Sequence, residues 1–194
     1  MAQQRPVVGV LLAAGSGTRF GGDKLLVKLA DGTPLAAAAF AALAAGVDGV
    51  VAIVRPGDAA LNALLGKCGA SVAVCVSAAD GIGASLACAM REVQHRFPQA
   101  HGAIIALADM PWVSASTVQQ VAAALRRGAV LVAPTHRGTR GHPVAIGARF
   151  FAELATLSGD EGAKQLLAAH RAELELIAVD DPGVLRDVDT PADL

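Results

Sequence analysis

Between Gly15 and Lys24 the chain gathers the glycines Gly15, Gly17, Gly21 and Gly22 with the cations Arg19 and Lys24. Glycine lets backbone N–H groups approach an anion closely, and a turn of such groups forms an anion-binding nest. With positive side chains at short range, the segment suits a triphosphate. A flexible turn carrying solvated cations is the competing reading. Two familiar phosphate motifs fail on spacing. Phe20 breaks the dinucleotide pattern G-x-G-x-x-G, and Asp23 separates Gly22 from Lys24 where a P-loop needs direct succession.

Carboxylates supply the second kind of chemistry. Asp109 follows the apolar run Ala103 to Leu107, where a strand-end carboxylate could hold Mg²⁺ together with phosphate oxygens or simply serve a turn. Asp187 and Asp189 precede Thr190-Pro191-Ala192-Asp193, which has the cap, the first-position proline and the first-turn acid of a helix start. Asp80-Gly81-Ile82-Gly83-Ala84-Ser85 offers close backbone approach and a hydroxyl, or a helix cap. Arg140 could meet a phosphate. His142 has no partner at metal-ligand spacing and reads as a packed or hydrogen-bonding histidine.

Alternating elements position these residues. Val7 to Leu12, Val50 to Val54, Val72 to Val76, Ala103 to Leu107, Val130 to Ala133 and Leu174 to Val179 read as strands covered on both faces. Helical patterns lie between them: Leu35 to Ala45, the series from Ile82 through Leu86, Met90 and Val93 to Phe97, a segment capped at Ser116, and Lys164 to His170. This is a three-layer α/β pattern with a mostly parallel sheet, in one domain spanning residues 1–194. The stretch His136 to Gly147 predicts a loop or hairpin laid over one edge. Ligands in such sheets gather at the carboxyl ends of strands, where Gly15 to Lys24, Asp80 to Ser85 and Asp109 to Pro111 fall.

The bulk numbers narrow the partners. Of 194 residues 54% are apolar, 3% are aromatic and none is Tyr, so Ala, Val, Leu and Ile must build the core. Net charge is −1 without a basic run, which argues against a nucleic-acid polymer as partner. Cys68, Cys75 and Cys88 form no C-x-x-C pair and read as reduced core thiols of a cytoplasmic protein. Arg5 and the run from Val7 could imitate a short signal peptide, but a buried strand is the better reading. Leu35 to Ala45 is too short to cross a bilayer. No G-x-S-x-G is present, and the cysteines have no neighbouring His.

Leu12-Ala13-Ala14-Gly15-Ser16-Gly17-Thr18-Arg19 through Lys24 resembles the signature loop of the molybdenum-cofactor nucleotidyltransferase family, and most of all its cytidylyltransferase branch. Leu107-Ala108-Asp109-Met110-Pro111 is similar to the family's L-x-D-M-P motif, Gly81 to Leu86 to its G-x-G-x-S-L stretch, and Gly141-His142-Pro143-Val144 to its acceptor-side segment. The motifs span nearly the whole chain in the family's order.

The resemblance implies a nucleotide-diphospho-sugar transferase-like (Rossmann-like) fold and a set of roles. Leu12, Ala13, Ala14, Gly15, Gly17, Thr18, Gly81, Gly83 and Ser85 would line the nucleotide, and Arg19 and Lys24 would hold the leaving pyrophosphate. Asp109 and Asp189 would bind Mg²⁺, with Asp187 the alternative at the second position. Arg140 and His142 would face the acceptor. The implied reaction moves CMP from CTP to the phosphate of a molybdopterin-type acceptor, with transient contact to a molybdenum enzyme or its chaperone. CTP over GTP rests on Ala14, since guanylyl relatives look like L-A-G-G. Another phosphorylated acceptor, a non-catalytic molybdopterin carrier and an oxidoreductase on a similar scaffold are the rivals.

Overall fold

The computed structural model describes residues 5–15, 20, 22–160 and 162–194. Its centre is strand β1 (Val7–Ala13), buried along its whole length. Parallel neighbours flank it: β2 (Gly49–Val54) on one side and β4 (Gly102–Leu107) on the other. Strand β3 (Ser71–Val74) extends the sheet beyond β2.

Past β4 the sheet turns mixed. β5 (Leu131–His136), β6 (Thr139–Arg140), β7 (Val144–Gly147) and β8 (Leu174–Ala178) complete an eight-stranded sheet ordered β3-β2-β1-β4-β7-β5-β6, with β8 parallel to β5. The result is a mostly parallel mixed sheet of the nucleotide-diphospho-sugar transferase type.

Side-chain alternation along β1 divides the core. Val7, Leu11 and Ala13 face α1 (Leu35–Ala44), α2 (Ala59–Cys68) and α4 (Ala115–Arg126). Val8, Val10, Leu12 and Ala14 face α3 (Ile82–Arg96), α5 (Phe151–Leu154) and α6 (Lys164–Ala169). A period of two with both faces apolar is what a central parallel strand requires.

Several expectations are corrected. The segment from His136 to Gly147 is an edge hairpin only in its first part, where β6 pairs antiparallel with β5 at the end of the sheet; β7 instead enters the sheet between β4 and β5, antiparallel to both. Val144, Ala145 and Ile146 are all buried, so this segment has two faces to cover. The third strand ends at Val74, and Val76 is 86% exposed. The cap of α4 is Ser114 and not Ser116, because the Ser114 Oγ accepts the Thr117 N–H at 3.2 Å. β8 is not covered on both faces, and Leu176 on it is exposed. Among the described residues no helix is long and apolar enough to cross a membrane. All three cysteines are free, and burial with the nearby Cys75 thiol pushes Cys88 up to about 11.

Candidate active site

β1 and β4 run in register, Leu12 opposite Leu107, and the Ala108 N–H continues the pairing to the Leu12 carbonyl at 3.0 Å. The chain leaving β1 at Ala14 and the chain leaving β4 at Asp109 therefore emerge side by side. On either side of β1 the connections run in opposite senses, which opens a crevice at the carboxyl ends. Gly15 lines this cleft; Gly17, Thr18 and Arg19 lie outside the described residues.

Lys24 begins a single 3-10 turn, Lys24–Leu26, and is buried. Its ammonium donates to Asp109 Oδ2 at 2.9 Å and to the Val188 carbonyl at 2.7 Å, and Asp189 Oδ1 lies 3.6 Å away. Burying a cation is unfavourable unless it is paired and hydrogen-bonded, and here it has both kinds of partner.

The carboxyl-terminal residues 181–193 form a strap that reaches Lys24 and Asp109. At one end Asp181 accepts from the Ser114 N–H at 2.9 Å, the Thr117 hydroxyl at 2.7 Å and the Gly183 N–H at 3.0 Å. Burial pushes this carboxyl up, but the donors more than offset that and hold it below the ordinary carboxylate value. Gly183 passes so close to the Trp112 carbonyl that a Cβ would collide with it. The His142 N–H donates to the Val184 carbonyl at 2.9 Å and the Val188 N–H to the Asp109 carbonyl at 2.9 Å. The Arg186 guanidinium covers the Trp112 ring at 4.1 Å. At the far end the Asp193 carboxylate accepts from the Asp189 and Thr190 N–H groups, and Thr190 and Asp193 complete a capping box.

So held, the strap brings Asp187 and Asp189 to Asp109, with one oxygen of each within 4.8 Å of the others. Hard oxygen donors converging in this way suit a divalent cation such as Mg²⁺. The sequence pairs Asp109 with Asp189; the structure adds Asp187 to the same cluster.

The cleft beside this cluster has a volume of about 680 Å³. Leu12, Ala13 and Ala14 form its floor, with Gly81 and Ser85 on a facing wall. Gly81 has φ +120°, and a Cβ there would strike the Gly159 carbonyl and the Asp160 carboxylate. Gly83 lies behind this wall with its N–H bound to the Gly159 carbonyl at 2.8 Å. The Ser85 hydroxyl turns back to the Gly81 carbonyl at 3.4 Å. Arg55, which sequence reasoning missed, also lines the cleft and pairs with Asp58 at 3.4 Å. Its signal was a cation directly after the carboxyl end of β2.

A second chamber of about 300 Å³ adjoins the first, with Leu12, Ile82, Leu107 and Asp160 common to both. Arg140 and His142 line it, as does Lys164. Burial lowers the His142 pKa below its ordinary value, opposed by the negative Asp109. Its buried Nδ1 has no hydrogen-bond partner among the described residues.

Residues 9–174 match the model of the MobA-like NTP transferase domain. The chain belongs to this family. As a MobA-like NTP transferase it is a nucleotidyltransferase, and its substrate is a nucleoside triphosphate. It is 28% identical over 193 residues to the purine catabolism protein PucB of Bacillus subtilis (strain 168), covering 95% of this chain and 92% of that protein. It is 30% identical over 192 residues to nicotine blue oxidoreductase of Paenarthrobacter nicotinovorans, again covering 95% and 92%. Among solved structures, Rv0371c of Mycobacterium tuberculosis H37Rv superposes with a TM-score of 0.84 at 29% identity, covering 98% of this chain and 96% of that one. A manganese complex of Rv0371c matches with a TM-score of 0.79 at 29% identity, covering 97% and 95%.

Proposed function

We propose that this MobA-like transferase moves CMP from CTP to the terminal phosphate of molybdenum-loaded molybdopterin, releasing pyrophosphate and forming the cytosine dinucleotide cofactor. The observation that carries this reading is the meeting of Lys24, Asp109, Asp187 and Asp189 beside a cleft floored by Leu12 to Gly15. Phosphoryl chemistry needs that combination, because charge must be neutralised while the reacting groups are held in line.

Leu12, Ala13, Ala14, Gly15, Gly17 and Thr18 would wrap the triphosphate, with Gly81, Gly83 and Ser85 shaping the wall against base and ribose. Arg19 and Lys24 would stabilise the departing pyrophosphate. Arg140 and His142 would orient the acceptor so that its phosphate oxygen meets the α-phosphorus from the side opposite the leaving group. No covalent enzyme intermediate is required. Asp109 and Asp189, with Asp187 alongside, would hold Mg²⁺. When bound, this ion supplies neutralisation of charge on the α-phosphate. Support for a divalent ion comes from the convergence of hard oxygen donors and from the manganese complex of Rv0371c. The reaction would run in the cytoplasm, where three free thiols stay reduced.

The name of the nicotine blue relative favours a second reading, an oxidoreductase on the same scaffold. Two measurements separate them. The transferase reading expects pyrophosphate release from CTP that depends on both acceptor and Mg²⁺, and no saturable binding of NADPH. Tight NADPH binding without pyrophosphate release would replace it.

A further inference from the structure

The second chamber contains a cation that the assigned roles leave unused. Its lining is largely apolar, with Leu86, Ile105, Val144 and Leu167 among the residues. Arg140 reaches it from β6 and Lys164 from the first residue of α6. Several arginines of this fold are engaged: Arg55, Arg96, Arg126, Arg127 and Arg149 all form ion pairs. Neither Arg140 nor Lys164 does so among the described residues. Among the described residues of the lining, Asp160 is the one carboxylate, against the two cations Arg140 and Lys164.

We infer that Lys164 is a specificity-determining residue which, with Arg140, clasps an anionic group on the body of the acceptor. This rests on the transferase reading above for the acceptor's identity, but not for the chamber's preference. Lys164 lines the second chamber and not the first, whereas Asp109 lines the first and not the second. Lys164 therefore meets the part of the acceptor that occupies the second chamber, while the first chamber, lined by Asp109, is left to the reacting phosphate. An apolar lining with cations on its wall accepts a flat ring system bearing negative charge better than a neutral polyol, because the ring buries apolar surface while the anion keeps its partners.

The test uses two fluorescent probes, pterin-6-carboxylate and neutral 6-hydroxymethylpterin, titrated into the full chain with saturating CTP and Mg²⁺. The parent should bind the carboxylate more tightly. Lys164→Glu should weaken it about tenfold or more, the scale of one charge-assisted hydrogen bond, and move the neutral probe and CTP less than about twofold. Lys164→Arg should restore the preference. Lys164 is exposed, so folding should survive, and matching melting temperatures check this. No binding of either probe, equal affinity for both in the parent, or an intact preference in Lys164→Glu would overturn the inference. A parent that prefers the carboxylate yet releases no pyrophosphate would keep the clasp and remove the transferase reading.

Discussion

Lys24 donates a 2.9 Å hydrogen bond to Asp109, eighty-five positions away in the chain. Its ammonium lies against a cluster of three carboxylates whose oxygens are within 4.8 Å of one another. One side chain thus carries two duties: counter-charge for the cluster in the free protein, and proposed stabiliser of the leaving phosphates during turnover.

Lys24→Ala should therefore show two effects. Turnover should fall about 100-fold or more, as when charge-stabilising donors are deleted elsewhere. The metal-free protein should lose about 1–3 kcal/mol, the cost of leaving buried polar groups without a partner. Added Mg²⁺ should recover part of this and raise the melting temperature more in the variant than in the parent, since a ligand that binds only the folded state stabilises it. Near-normal turnover would remove the catalytic role. An unchanged melting temperature would remove the structural one.

Asp109→Asn and Asp189→Asn should each raise the Mg²⁺ concentration needed for half-maximal activity, because an amide neutralises no charge. Asp187→Asn decides how the cluster shares the ion. Damage from Asp187→Asn with a silent Asp189→Asn would move the second ligand to Asp187. Activity that survives EDTA in the parent would refute the metal assignment.

The readable parts of this fold are those fixed by local pattern. β1, β2 and β4 declare themselves because each is an apolar run with both faces buried. Asp109 stood out because it follows a strand and because Leu107 to Pro111 resembles a family motif. What sequence could not supply was tertiary: that Lys24 meets the Val188 carbonyl, or that Asp187 and Asp189 both converge on Asp109. Those contacts depend on Asp181 gripping the start of α4 and on Gly183 sliding under Trp112, and neither has a periodic signal. Helix α2 was missed because it buries only Leu61 and Leu65 and leaves a weak apolar stripe. β7 was misplaced because Gly141 and Pro143 read as loop, while the short buried run after them was too brief to declare a central strand.

Asp181 gives the strap a pH signature. Its folded carboxyl lies below the ordinary value, burial being outweighed by the donors around it. Its stabilisation is present above the unfolded carboxyl pKa of about 4 and is lost as pH falls through the lowered folded value. Asp181→Asn should lower the melting temperature at pH 7 and flatten its decline below about pH 5. It should also raise the Mg²⁺ concentration needed for half-maximal activity, through misplacement of Asp187 and Asp189. A variant whose melting-temperature profile parallels the parent's at every pH would show that this grip contributes nothing.

Base choice is predicted to fall on CTP over GTP. Ala14 is buried at the cleft floor, where its methyl group should crowd a purine and pack against a pyrimidine. Overpacking of this size costs about 1–3 kcal/mol, roughly a 10–200-fold preference in kcat/KM. Ala14→Gly should narrow the ratio. Equal use of GTP by the parent would refute the base assignment, and an unchanged ratio in the variant would refute only the steric cause.

The most direct test is to incubate the protein with Mg²⁺, molybdenum-loaded molybdopterin and each of the four NTPs in turn, then identify the products by mass spectrometry. The account predicts stoichiometric pyrophosphate and the cytosine dinucleotide from CTP, and little product from ATP, GTP or UTP. Absence of any dinucleotide with all four nucleotides, from a folded and metal-loaded protein, would contradict it.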